Sequence, residues 1–78
     1  MSRSLSTIAN EITENWAKPY FGAVPYLQAM LSLDTVNDKY GYDDGRSIVL
    51  YFLANAQSWR GDVAKRVKAE LKGMLKAA

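Results

Sequence analysis

Four aspartates, Asp34, Asp38, Asp43 and Asp44, crowd into one short stretch of the chain. Carboxylates set this closely can hold calcium or magnesium, or share a proton in acid–base work. The stretch lacks the alternating Asp/Asn positions, fixed Gly and terminal Glu of an EF-hand loop. Asp34 and either Asp43 or Asp44 also sit where helix N-caps are expected, a role that needs no metal. The chain has no His and no Cys. That removes the usual zinc sets, the Ser-His-Asp and Cys-His relays, and disulfides. The sequence therefore points away from an enzyme, with no catalytic residue, no metal and no cofactor expected.

The second chemistry-bearing group is basic. Residues 1–59 carry a net charge of −2, and residues 60–78 carry +4. The basic side chains are Arg60, Lys65, Arg66, Lys68, Lys72 and Lys76. Such an end can meet nucleic acid, anionic lipid or an acidic protein, or simply form a solvated helix face. If Arg60-Gly61-Asp62 joins two helices, the unit looks like a helix-turn-helix whose second helix would meet DNA. Its lysines suit phosphates better than base edges, so the nucleic-acid alternative is sequence-independent contact.

The third group is aromatic and apolar. Arg46-Ser-Ile-Val-Leu-Tyr-Phe-Leu-Ala-Asn-Ala-Gln-Ser-Trp59 is too apolar for an ordinary surface helix. At helical spacing, Ile48, Val49, Phe52, Ala56 and Trp59 form the expected core stripe. Leu50, Tyr51, Leu53 and Ala54 remain on the other sides. Left bare, they would bind a second copy or another protein. Tyr20, Phe21 and Tyr26 flank the first connection, and Tyr40 and Tyr42 the acidic loop. Such aromatics either lid helix ends or make contacts, and of them Tyr20, Phe21, Tyr40 and Tyr42 are the further candidate contacts. Trp16 and Trp59 are expected core anchors.

These residues need elements to hold them. Leu5, Ile8, Ala9, Ile12 and Trp16 predict a first helix from Leu5 to Ala17, capped by Ser4 or Ser6 and ended by Lys18-Pro19. After a turn at Tyr20-Phe21-Gly22, Pro25 opens a second helix running to about Leu33, with Val24, Leu27, Met30 and Leu31 inward. A short third helix is expected over Thr35–Tyr40, capped by Asp34 and stopped by Gly41. The fourth spans about Gly45 to Trp59, the fifth Val63 to Lys76. In the fifth, Val63, Ala64, Val67, Leu71, Met74 and Leu75 oppose a stripe of Lys65, Lys68, Lys72 and Lys76. No useful strand alternation is visible. Seventy-eight residues allow one domain and one modest core. The expected fold is all-α: a single domain, 1–78, of four to five short helices around a central apolar helix at about 45–59.

The N-terminus lacks the apolar region of a signal peptide, and the apolar run at 48–56 is too short to span a bilayer. A cytoplasmic protein with no membrane partner is expected. Pro19-Tyr-Phe-Gly-Ala-Val-Pro-Tyr26, Tyr40-Gly-Tyr-Asp-Asp-Gly45 and Ile48-Val-Leu-Tyr-Phe-Leu-Ala-Asn-Ala56 through Trp59-Arg-Gly61 together resemble small uncharacterised proteins of bacteriophages, prophages and other mobile elements. The resemblance implies a non-enzymatic protein that binds and redirects a host protein by steric occupation. Anti-CRISPR and other anti-defence inhibitors, and host-takeover factors, are the classes it brings with it. The expected partner is then a host protein in the bacterial cytoplasm, or a second copy of the chain. Its contacts would be Leu50, Tyr51, Leu53, Tyr20, Phe21, Tyr40 and Tyr42.

Overall fold

A computed structural model describes residues 3–77. Its elements are α1 (Leu5–Asn15), α2 (Val24–Met30), β1 (Lys39–Tyr40), β2 (Asp43–Asp44), α3 (Gly45–Ala54) and α4 (Asp62–Ala77). α2 packs along α3, α1 contacts α2 and α4, and α4 also closes on α3. The two strands form an antiparallel hairpin that leads directly into α3.

α1 starts as the sequence requires. Ser4 Oγ accepts the Thr7 N–H at 3.1 Å. The neighbouring amides of Leu5 and Ser6 donate to the carbonyls of Asp34 and Leu33, at 2.9 and 2.8 Å. A helix start normally leaves four amides without partners. Here the chain leaving α2 supplies two of them, which fixes α1 to that segment.

The helix ends at Asn15, two residues before the expected stop. Trp16 turns out of helical geometry at φ −129°, ψ 88°. Its ring then stacks on Trp59 at 5.7 Å and meets Phe52 edge-on at 6.3 Å. The Trp59 indole N–H donates to the Asn15 carbonyl at 3.3 Å. Ring packing across the core decides this boundary ahead of Pro19.

α2 also stops early, at Met30, and tightens into i→i+3 bonds from Ser32 and Leu33 to Ala29 and Met30. That turn exposes Leu31, expected inside, and buries Leu33. Thr35–Tyr40 is not a helix. The Asp38 carboxylate accepts the amides of Asp34 and Thr35 at 2.9 and 3.1 Å. The Asp34 amide is thus held by Asp38, and no helix follows for the Asp34 side chain to cap. The Thr35 hydroxyl takes the Asn37 amide, and the Val36 carbonyl takes the Arg46 amide. Short polar and β-branched side chains give this segment better partners than a helix would.

The chain then turns through Gly41-Tyr42. Of these two, Gly41 has positive φ, at 64°, as a two-residue hairpin with Gly at its first central position demands. Asp44 accepts the Ser47 amide at 2.8 Å and caps α3.

α3 ends at Ala54, five residues short of the expected Trp59. The Asn55 side chain donates back to the Tyr51 carbonyl at 2.8 Å and closes the helix. Ala56 and Trp59 still reach the core through the turns that follow. α4 starts at Asp62, which lies in its first turn, where a carboxylate suits the helix dipole. The core is apolar throughout, with Leu5, Ile8, Ile12, Met30, Val49, Phe52, Val67 and Leu71 fully enclosed.

Candidate partner-binding surface

One side of α3 faces the core through Ile48, Val49 and Phe52. The opposite side carries Ser47, Leu50, Tyr51 and Ala54, spaced i, i+3, i+4 and i+7, which brings them to one face. Leu50 and Tyr51 are each about half exposed, at 52% and 53%, and Ala54 is exposed. Of the other helices, α2 covers part of this face through Tyr26, and the rest is open.

Two aromatic groups extend it. The Tyr26 ring, from α2, stacks on Tyr51 at 5.4 Å. At the C-terminal end of α3, Tyr20, Ala54, Asn55, Gln57 and Ser58 line an open groove of about 350 Å³. Tyr20 and Phe21 pack against each other there at 4.8 Å, and Phe21 is 79% exposed. Through Ala54, which lines the same groove as Tyr20, the face of Leu50 and Tyr51 runs on to the Tyr20–Phe21 pair, a strip whose groove end also carries polar Asn55, Gln57 and Ser58. Groups of this kind suit a partner surface, since tyrosines carry large contact area with a polar tip.

Three expected contacts fall outside the strip. Leu53 packs against the core and is only partly exposed. Tyr40 and Tyr42 are exposed, but they stand on the hairpin at the start of α3. A ten-residue helix puts about 15 Å between them and the Tyr20 groove. Tyr26, noted with Tyr20 and Phe21 beside the first connection but not among the expected contacts, joins the strip through its stack with Tyr51. Its partner comes from another element, so no local spacing announces it.

The acidic stretch is used structurally. Asp38 and Asp44 accept backbone amides, which hold both carboxyls below the ordinary carboxylate range. Among the described residues, no three His, Cys, Asp or Glu side chains gather as a metal site.

The basic end divides into two. Glu11 on α1 pairs with Arg66, and Arg3 Nη2 lies 2.8 Å from Glu11 and 2.6 Å from Glu70. Arg66 is thereby drawn to the α1 side of α4, away from the lysines. Lys68 is partly buried and donates to the Trp59 carbonyl at 2.6 Å. Arg60, Lys65, Lys72 and Lys76 are exposed, and among the described residues none of them pairs with a carboxylate. The segment from Asn55 to Gly61 between α3 and α4 is seven residues long, too long for a helix-turn-helix, whose turn has three or four. Among the described residues no helix is long and apolar enough to cross a membrane.

Compared with protein-family models, curated proteins and solved structures, the chain gives no match.

Proposed function

We propose that this chain is a non-enzymatic protein-binding domain that docks its partner on the apolar strip of α3. The observation that carries this reading is the exposure of Leu50 and Tyr51 in the middle of a helix whose only charged residue is Arg46. A helix whose outward face is free to vary would normally carry charged residues there. Burying one Leu side chain contributes about 1.5–3 kcal/mol, so a partner gains from each one it covers. The strip is also continuous with the Tyr20–Phe21 pair, giving aromatic anchors beside a groove.

The resemblance to phage and prophage proteins supplies the kind of partner: a host protein in the cytoplasm, blocked by occupation of its surface. Absence of His and Cys, and use of Asp38 and Asp44 as backbone caps, support a binding role over a chemical one.

The test is retention of host proteins from nuclease-treated bacterial lysate by the wild type and by a Leu50→Glu/Tyr51→Glu variant. A host protein held by the wild type and lost by the variant, with helical circular dichroism preserved, is the expected result. Equal retention by both overturns the surface. Self-association abolished by the same substitutions would assign the strip to a second copy of the chain.

A further inference from the structure

A second surface lies where α4 begins. Trp59, Arg60, Gly61, Asp62, Lys65 and Lys68 line an open groove of about 350 Å³. Three of these side chains are cations and one is a carboxylate. From the groove, Lys72 and Lys76 continue the same side of α4, spaced four residues apart, or about 6 Å along the axis. Sequence alone would add Arg66, but the structure commits it to Glu11.

The cations here repel one another. Burial, then the charges of Lys72 and Arg60, hold the Lys68 ammonium below its ordinary range. Glu11 and Glu70 are engaged with Arg3 and Arg66 on the other side of α4. They are unavailable to relieve that repulsion. An anion in the groove would.

We infer that this groove and the row formed by Lys65, Lys68, Lys72 and Lys76 bind the phosphate backbone of a nucleic acid without reading its bases. The row spans roughly 16 Å at the helical rise, and its steps of about one helical turn each fit a linear polyanion. Lysine meets phosphate as a point charge and carries little base information. Trp59 is buried beneath Trp16 and presents no free ring face on which a base could stack. A lipid surface fits poorly. Ala64, Val67 and Leu71 are buried in the core, and Met74 and Leu75 pack against it, which leaves α4 no apolar face to insert.

The experiment is fluorescence anisotropy with labelled 16-base-pair duplex DNA and with single-stranded RNA of equal length. Vesicles of phosphatidylserine are titrated in parallel. With about four phosphates engaged, log Kobs against log salt should slope near −3 to −4 for the duplex. Affinity should fall on the order of 100-fold between 50 and 200 mM salt. A shallower fall for RNA than for duplex would mark the single strand's lower counterion density. Lys65→Glu/Lys72→Glu should weaken binding more than tenfold. Asp62→Asn, which removes the groove's carboxylate, should tighten it several-fold. Leu50→Glu/Tyr51→Glu should leave it unchanged, which separates this surface from the one on α3. The inference is overturned by no binding at 50 mM salt, by full binding in the Lys65/Lys72 variant, or by capture of vesicles without nucleic acid.

Discussion

Glu11 joins three parts of the chain, because Arg3 before α1 and Arg66 on α4 both reach its carboxylate. Arg66 and Arg3 hold the Glu11 carboxyl below its ordinary 4.5. Asp38 and Asp44 are likewise held below 3.8 by the backbone amides they cap. A carboxyl with a depressed native pKa binds protons more weakly when folded than when unfolded. Its contribution is complete above the unfolded value and is lost as pH falls through the folded one. Urea midpoints should therefore stay level from pH 7 to about 5 and decline below about pH 4.5. Glu11→Gln should lower the midpoint at pH 7 and flatten that decline. An equal acid decline in the variant would show that Glu11 is not among the groups responsible. Gly45 is a different kind of constraint. A Cβ there would stand 2.7 Å from the Thr35 carbonyl oxygen and 2.9 Å from Val36 Cα. Both are backbone atoms that Arg46 and Asp38 already tie down through hydrogen bonds. Gly45→Ala should cost about 1–3 kcal/mol as overpacking, read from the shift in urea midpoint.

Helix existence was more legible than helix extent. The 3.6-residue spacing of Leu5, Ile8, Ala9 and Ile12 located α1, and its cap was legible as Ser4 or Ser6 and that of α3 as Asp43 or Asp44, of which the fold uses Ser4 and Asp44. The ends of α1 and α3 were not. They are set by Trp16 stacking on Trp59 and by Asn55 folding back on Tyr51, the first of which joins positions far apart in sequence. The hairpin was missed because two-residue strands show no alternation. Its signal was Gly41-Tyr42 itself, a Gly-first turn between Lys39-Tyr40 and Asp43-Asp44. On the candidate surface, the outward placement of Leu50, Tyr51 and Ala54 followed from the wheel of α3. The joining of Tyr26, Tyr20 and Phe21 to it depended on how α2 meets α3, which spacing along one helix does not encode. Asp44→Ala tests the hairpin–helix junction: it removes the oxygen that takes the Ser47 amide. The melting temperature should fall by several degrees, while Asp43→Ala, whose carboxylate makes no cap, should change it little.

The molecule as a whole places its packing and its candidate contacts in separate sets of aromatic residues. Trp16, Phe52 and Trp59 form one enclosed cluster where the ends of α1 and α3 meet the chain entering α4. Tyr20, Phe21 and Tyr51 lie outside it, each at least half or nearly half exposed. In a chain this short, which has no cysteine to form a disulfide, the core supplies only about 3–5 kcal/mol of net stability. Truncating a buried Trp costs about 3–5 kcal/mol, the same size as that whole margin. Trp16→Ala should therefore unfold the domain at 25 °C, seen as loss of both the near-ultraviolet aromatic signal and the cooperative thermal transition. Phe21→Ala removes a ring of similar apolar character that the core never encloses. Its melting temperature should stay within a few degrees of the wild type. If Phe21→Ala also unfolded the domain, the Tyr20–Phe21 pair would belong to the fold, and the strip on α3 would shrink to Leu50, Tyr51 and Ala54. If it stays folded while partner capture weakens, the ring serves contact and not stability, as part of the exposed patch it forms with Tyr20.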